Sequence, residues 1–91
     1  MLNINMYYRK GILIIEIEGY LNKFTSYKLK DYLVPVILKH EIKHIVYDTN
    51  KLKGIDNFGI KILHDGIKAV KENKGKISYT KDSKILKLIE G

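Results

Sequence analysis

Hydrophobic and polar positions follow two different periods along the chain, and the changes of period predict the order of strands and helices. Two β-rich runs, INMYYR and ILIIEIE, are separated by Lys10 and Gly11, which suit a tight turn, so a hairpin is expected. The second run is almost continuously apolar, as in a strand covered on both faces. Hydrophobic residues then recur at helical spacing from Thr25, a suitable N-cap, to about His40. Pro35 inside this helix predicts a kink, because proline removes a backbone donor and clashes with the preceding turn.

The second half of the chain also alternates between strand and helix. HIVYD is expected to be a buried strand because it is rich in β-branched and aromatic residues, and TNKLKG is expected to be a loop. A second amphipathic helix follows, capped by Asp56 or Asn57 and ended by Gly75. KISYT is the next strand, and Asp82 or Ser83 opens a last short helix. This order predicts a single α/β domain over residues 1–91, with a small mixed, partly parallel β-sheet and helices packed against it.

Composition narrows the classes of protein that the chain can represent. Its 91 residues suit one small domain with a modest core, which makes a large buried catalytic cavity improbable. Hydrophobic residues make up 45% and charged residues 30%, as in a folded globular protein. The sequence contains no apolar run long enough to span a bilayer and does not begin like a signal peptide, so a cytoplasmic protein is expected. Cysteine is absent, which excludes disulfides, thiolate nucleophiles and cysteine-ligated metals.

The formal net charge of +7 raises the possibility of a basic nucleic-acid-binding domain. Its distribution favours another interpretation. Arg9 is the only arginine, and the lysines are spread along the whole chain, whereas readers of bases and phosphates favour arginine forks. A solvated lysine surface without specific nucleic-acid binding is therefore the preferred interpretation, and nucleic-acid binding is kept as a lower-weight alternative.

The stretch HEIKH matches the H-E-x-x-H pattern, in which His40 and His44 would bind zinc on one helical face and Glu41 would act as general base. This pattern needs a continuous helix, but the predicted helix ends near His40 and His44 begins the strand HIVYD. In an extended segment the two imidazoles would diverge. His64 and Glu72 are the candidates for a third ligand. A helix end with a cationic side chain near its C-terminal dipole is the favoured interpretation, so no metal, cofactor or catalytic residue is predicted, and a zinc-dependent hydrolase is a lower-weight alternative.

Three patterns occur in order along the chain: G-x-L-x-x-x-T in GYLNKFT, I-x-x-I-V-x-D in IKHIVYD, and L-x-x-I-D-x-x-G-I in LKGIDNFGI. A turn that contains lysine and glycine follows the second helix. Together these patterns resemble the STAS domain of the bacterial anti-sigma-factor antagonists over almost the full length. The C-terminal extension that is usual in the family has no counterpart after Gly91.

The resemblance implies a binding switch. Family members compete with a sigma factor for an anti-sigma factor that is also a serine kinase, and the kinase phosphorylates a serine in D-S-S-G or a similar motif. Asp56 and Gly59 match this motif, but Asn57 and Phe58 replace the two hydroxyl residues, and Phe58 occupies the phosphoacceptor position. Asn22 stands where an acidic residue is common. Phenylalanine cannot accept phosphate, so the resemblance implies a binding site without this modification.

The resulting prediction is a regulatory domain without catalysis that sequesters an anti-sigma factor/serine kinase, so that a sigma factor is released. The alternative is a non-phosphorylated STAS scaffold subunit of a signalling or transport complex. Membrane insertion is not expected. The residues expected to bind the protein partner are Asn22, Lys23, Asp56, Asn57, Phe58 and Gly59.

Overall fold

The computed structural model describes residues 1–80, which form a five-stranded sheet with two helices packed on it. The predicted helix that starts at Asp82 or Ser83 lies outside the described residues. The elements are β1 (Leu2–Arg9), β2 (Ile12–Leu21), α1 (Tyr27–Lys39), β3 (His44–Asp48), β4 (Leu52–Ile55), α2 (Asn57–Glu72) and β5 (Lys76–Tyr79). Their order confirms the predicted mixed α/β architecture.

The sheet has the strand order β1-β2-β3-β5, and β4 pairs with β2 away from this path. β1 and β2 are antiparallel, whereas the pairs β2–β3, β2–β4 and β3–β5 are parallel. Lys10 and Gly11 join the first two strands with φ angles of 51° and 82°. A two-residue turn with both φ angles positive fits the right-handed twist of a hairpin, so the predicted hairpin is confirmed.

The strand β4 corrects the prediction that TNKLKG is a loop. Leu52 to Gly54 belong to a four-residue strand that runs parallel to the end of β2. Four residues with a glycine among them carry little strand signal of their own, since propensity for the strand state depends on packing against a neighbouring strand. Pairing with β2 therefore decides the conformation of this segment.

The core lies between the sheet and the two helices, which pack against each other. Alternate residues of β2 point into it, as the period of two in a strand requires. The other face of β2, which carries Ile12 and Ile14, is half-buried. Tyr47 of β3 is fully buried, and its hydroxyl donates a hydrogen bond of 2.7 Å to the Leu63 carbonyl of α2. The fully buried side chains are Leu2, Ile15, Ile17, Leu21, Leu29, Leu33, Ile37, Ile45, Tyr47, Leu63 and Val70.

The first helix begins one residue later than predicted. Ser26 occupies the N-cap position of α1 and its side chain makes no capping hydrogen bond, so the prediction of Thr25 as N-cap is wrong. The helix ends at Lys39, with His40 at the C-cap. Pro35 lies inside the helix, and the kink expected there stays a prediction.

The second helix starts as predicted and ends differently. Asp56 is its N-cap, and its carboxylate accepts a hydrogen bond from the Gly59 amide. The helix ends at Glu72 with Asn73 at the C-cap, and Lys74 takes the left-handed conformation with φ 62°. Gly75 is needed for another reason, because a Cβ there would collide with the backbone of Lys43. Within residues 1–80, neither helix is long and apolar enough to cross a bilayer.

Candidate functional site

The ends of β2 and β4 bring the two predicted partner-binding segments together. The parallel register places Leu21 beside Ile55, and the Asp56 amide donates a hydrogen bond of 3.2 Å to the Leu21 carbonyl. The chain continues from Leu21 into the loop before α1 and from Ile55 into the start of α2. Because both strands run in the same direction, these two exits lie side by side at one edge of the domain.

The carboxylate of Asp56 joins the loop to the helix. One oxygen, Oδ1, accepts a hydrogen bond of 3.0 Å from the Gly59 amide within the first turn of α2. The other oxygen, Oδ2, accepts a hydrogen bond of 2.9 Å from the Lys23 amide, 33 residues earlier in the chain. Asp56 is therefore both the cap of α2 and the connection that holds the loop against it.

These backbone donors also set the charge state of the group. The Gly59 amide, followed by the amides of Lys23 and Phe58, lowers the pKa of Asp56 below its ordinary value of 3.8, although partial desolvation acts in the opposite direction. Hydrogen bonds donated to a carboxylate favour its ionised form. The side chain is thus negatively charged at neutral pH, and both of its oxygens accept hydrogen bonds from backbone amides.

Asn22 organises the loop that Asp56 holds. Its side-chain Oδ1 accepts hydrogen bonds from the amides of Phe24 at 2.9 Å and Thr25 at 3.2 Å. Thr25 closes the loop from the other side, since its hydroxyl donates to the Tyr20 carbonyl at 2.7 Å and accepts from the Asn22 amide at 3.0 Å. These contacts explain why Thr25 does not cap α1. The side-chain oxygen of Asn22 faces the loop backbone, so Asn22 shapes this loop from within.

Gly59 allows the loop and the helix to approach each other. A Cβ at this position would lie 2.5 Å from the Leu21 carbonyl oxygen and 2.8 Å from Cγ1 of Ile55. Both distances are shorter than ordinary van der Waals contact, and one of the atoms belongs to the backbone. This close approach, and not an unusual backbone angle, is therefore the reason that the third position of α2 requires glycine.

Two phenylalanines are exposed at the junction. Phe58, at the second position of α2, is 57% exposed, and Phe24, at the tip of the loop, is 75% exposed. The Nζ atom of Lys23 lies 5.1 Å from the centre of the Phe24 ring, a distance typical of a cation–π contact. Sequence reasoning included Phe58 and Lys23 but missed Phe24. The exposure of Phe24 could have been predicted from its place next to Lys23 in a polar loop, because other parts of the chain seldom cover the tip of such a loop.

The structure separates the residues of the HEIKH pattern. His40 follows the last residue of α1, Glu41 takes a positive φ of 49°, and His44 is the first residue of β3. The Nε2 atom of His44 lies 2.9 Å from the Ser78 hydroxyl of β5. Residues 40–44 are thus not a helical turn. No group of three or more His, Cys, Asp or Glu side chains suited to a metal ion occurs within residues 1–80.

Comparison with known proteins decides the family. The family profile described as STAS domain matches residues 3–79, which is most of the chain. The chain belongs to the STAS domain family.

Among curated relatives of this STAS domain is an anti-sigma F factor antagonist of Paenibacillus polymyxa. It is 25% identical over 77 residues, which cover 85% of the present chain and 66% of that protein. The chain thus spans just under two thirds of the length of this relative.

Two solved structures show the same fold at low sequence identity. The anti-sigma factor antagonist SpoIIAA in its unphosphorylated form superposes with a TM-score of 0.78 at 13% identity, covering 99% of this STAS domain and 82% of that chain. An anti-sigma factor antagonist of Mycobacterium paratuberculosis gives a TM-score of 0.69 at 11% identity, covering 100% and 96% of the two chains. The predicted STAS fold is therefore confirmed.

Proposed function

We propose that this STAS domain binds a protein partner, an anti-sigma factor of the serine-kinase type, through the surface where the loop 22–25 meets the start of α2. The observation that carries the proposal is the carboxylate of Asp56, which holds Lys23 and Gly59 by two separate oxygens. A surface built from two chain segments in this way keeps its shape before a partner arrives. Preorganisation of this kind lowers the entropy cost of association.

The exposed aromatic rings supply the anchors for such a partner. Phe58 and Phe24 project from a junction whose backbone is fixed by hydrogen bonds, and Lys23 lies over the ring of Phe24. Aromatic side chains lose little conformational entropy when they are buried, and they are enriched among the residues that dominate interface energies. The partner surface is expected to offer an apolar recess for Phe58 and an acidic group for Lys23.

The same geometry supports binding without a phosphorylation switch at the family position. Phe58 has no hydroxyl, and the serine and threonine hydroxyls at the other side of the junction, where the loop leads into α1, are engaged or covered. Thr25 donates to the Tyr20 carbonyl, whereas Ser26 is only 7% exposed. A kinase needs a hydroxyl that it can reach, and phosphate acts by adding about two negative charges at the modified residue. We therefore propose that the site binds constitutively and that the amount of protein controls its effect.

In this proposal, capture of the anti-sigma factor releases a sigma factor, and the STAS domain itself performs no catalysis. A scaffold subunit of a signalling or transport complex is the second candidate. The replacement of the phosphoacceptor by Phe58 favours it, because a permanent assembly has no need of a release step.

The test is the affinity of the purified chain for anti-sigma factors encoded near its gene, measured by isothermal titration calorimetry. Phe58→Ala should weaken binding by about tenfold or more, as expected for loss of an aromatic anchor. Phe58→Asp should weaken it further by placing a negative charge at the start of α2. Leu38→Ala is the matched control, because Leu38 is 42% exposed near the opposite end of α1 and should leave the affinity unchanged.

Incubation with the kinase and ATP, followed by phosphopeptide mapping, tests the absence of a switch. Wild type should stay unmodified and bound, whereas Phe58→Ser should become phosphorylated at the new hydroxyl if the kinase still recognises the loop. Modification of wild type at Thr25, Ser26 or Thr49 with release of the partner would contradict constitutive binding. Equal affinity of wild type, Phe58→Ala and Phe58→Asp would contradict the proposed surface itself.

A further inference from the structure

The strand β1 forms an edge of the sheet, and half of its backbone groups face away from β2. The Tyr20 amide donates to the Met1 carbonyl, which makes these two residues a hydrogen-bonded pair. Hydrogen-bonded and non-hydrogen-bonded pairs alternate along an antiparallel ladder. In the continuous register from Leu2 to Arg9, the backbone groups of Leu2, Ile4, Met6 and Tyr8 therefore point outward.

Among residues 1–80, a side chain protects only the beginning of this edge. The Nζ atom of Lys28 donates a hydrogen bond of 3.2 Å to the outward carbonyl of Leu2. From Ile4 to Tyr8 the strand has no lysine, no proline and no break in register with β2. Soluble proteins usually block a long regular edge with such devices, because unpaired backbone groups recruit another strand. Within the described part of the chain, the stretch from Ile4 to Tyr8 is thus a regular edge that no other strand covers.

An apolar groove runs beside the open stretch. It has a volume of about 520 Å³ and lies between Met6 and Tyr8 of β1 on one side and Val36 of α1 and the C-cap residue His40 on the other. Tyr8 is 62% exposed. Tyr32 is 61% exposed and lies one helical turn before Val36, on the same side of α1. Large exposed aromatic side chains beside an apolar groove are typical of an interaction surface.

We propose that a second copy of this chain occupies the edge, with the two β1 strands paired antiparallel about a twofold axis at Met6. Because Lys28 occupies the carbonyl of Leu2, the free stretch is centred on Met6, and this fixes the register. Met6 then lies opposite the partner's Met6, and Ile4 lies opposite the partner's Tyr8. The apolar side chains of one copy extend into the groove of the other, and the two sheets become continuous.

The charges near the strand make the pairing dependent on salt. Arg9 is the only charged residue of β1, and in the proposed register it lies opposite the partner's Asn3, so the paired strands set no two charged residues opposite each other. The Lys28 ammonium at the Leu2 carbonyl comes close to the partner's Arg9 at each end of the ladder, and this local repulsion opposes the pairing. The net charge of +7 on each copy opposes association over longer distances. Salt screens such repulsion, so the dimer should become tighter as the ionic strength rises.

Disulfide trapping tests the register, because the natural chain contains no cysteine. In the proposed dimer the two Cα atoms at position 6 are about 5.5 Å apart, within the range that a disulfide spans. The two positions 8 lie on opposite sides of the axis, two residues from it in each copy, and are therefore about 14 Å apart along the strands. Under mild oxidation Met6→Cys should give a covalent dimer, whereas Tyr8→Cys should remain monomeric on a non-reducing gel. Equal cross-linking of the two variants would overturn the proposed register.

Sedimentation velocity across micromolar to millimolar concentrations tests the dimer itself. Wild type should associate reversibly and more tightly at higher salt. Tyr8→Lys should raise the dimer dissociation constant roughly tenfold or more, because it sets an ammonium group among apolar side chains. Tyr20→Lys is the control, since it adds the same charge at the far end of β2, and circular dichroism verifies the fold of both variants. A wild type that is monomeric throughout, or a dimer that both variants weaken equally, would overturn the proposal. Binding of an unrelated extended peptide to monomeric wild type would also overturn it.

Discussion

Gly59→Ala tests whether close packing at the start of α2 builds the proposed partner surface. The added Cβ would lie 2.5 Å from the Leu21 carbonyl oxygen and 2.8 Å from Cγ1 of Ile55. The side chain of Ile55 can adjust, but the carbonyl belongs to the end of β2 and accepts a hydrogen bond from the Asp56 amide. Relief of the clash therefore requires that the loop and the helix move apart.

Two opposing effects determine the size of the change. Overpacking at a buried position costs about 1–3 kcal/mol. Replacement of glycine by alanine in a helix gains up to about 1 kcal/mol. The clash outweighs the gain because a backbone atom takes part in it, so the free energy of unfolding should fall by about 1–2 kcal/mol. In a domain of this size each kcal/mol corresponds to a decrease of about 4–8 °C in Tm.

Urea denaturation followed by circular dichroism measures this loss, and Phe58→Ala is the matched control. It introduces the same residue one position earlier, where the side chain is 57% exposed, and should change the stability little. Amide NMR spectra provide a local readout, since the signals of Lys23 and Asp56 should shift in Gly59→Ala as their hydrogen bonds lengthen. If Gly59→Ala is as stable as wild type and these two amide signals do not move, the close-packing argument is refuted.

Further predictions concern Tyr47, Asp56 and the HEIKH segment. Tyr47→Phe should lower the free energy of unfolding by about 1 kcal/mol, because the hydrogen bond to the Leu63 carbonyl is lost. Burial raises the pKa of Tyr47, and the neighbouring Tyr79 and Asp65 raise it further. The stability that Tyr47 contributes is therefore present below its ordinary pKa of 10.0 and is lost as the pH rises through the raised value. An absorbance titration at alkaline pH should find Tyr47 ionising only as the protein unfolds, and earlier ionisation would contradict its burial. The lowered pKa of Asp56 predicts the opposite dependence of stability on pH. The stability that Asp56 contributes is present above pH 3.8 and is lost as the pH falls through the lowered pKa. Carboxyl NMR of wild type, with Asp56→Asn to assign the signal, should find the midpoint of the Asp56 titration below pH 3.8. A midpoint above pH 3.8 would show that the amide hydrogen bonds are absent. Elemental analysis should find no stoichiometric zinc, because the HEIKH segment is not a helical turn, and one zinc per chain that is lost in His40→Ala would contradict this prediction.

Local patterns in the sequence determined most of the elements. The turn at Lys10 and Gly11, the buried strand HIVYD and the start of α2 at Asp56 each depend on residues within a few positions of one another. Hydrogen bonds of turns and caps, and the spacing of apolar side chains on one face, are set over that short range. These features could therefore be predicted without knowledge of the rest of the fold.

The candidate site could be predicted from the sequence only in part, because one of its main contacts joins distant positions. The resemblance to the family singled out Asp56, Phe58 and Gly59, and the pattern of residues identified Asp56 as a cap. The second contact of Asp56, with the Lys23 amide, joins positions 33 residues apart. It exists because β4 pairs with β2, and sequence alone assigned most of β4 to a loop.

Tertiary structure alone decided which local preferences prevailed. Thr25 has the chemistry of an N-cap, yet its hydroxyl is used by Tyr20 and Asn22 once the loop folds. Gly75 suits a helix end, yet the close approach of Lys43 is what requires it. The exposure of Phe24 and the position of β1 at the edge of the sheet likewise depend on which segments pack beside them. A short segment fixes its own backbone preferences, but pairing and burial depend on distant parts of the chain, and only the complete fold specifies them.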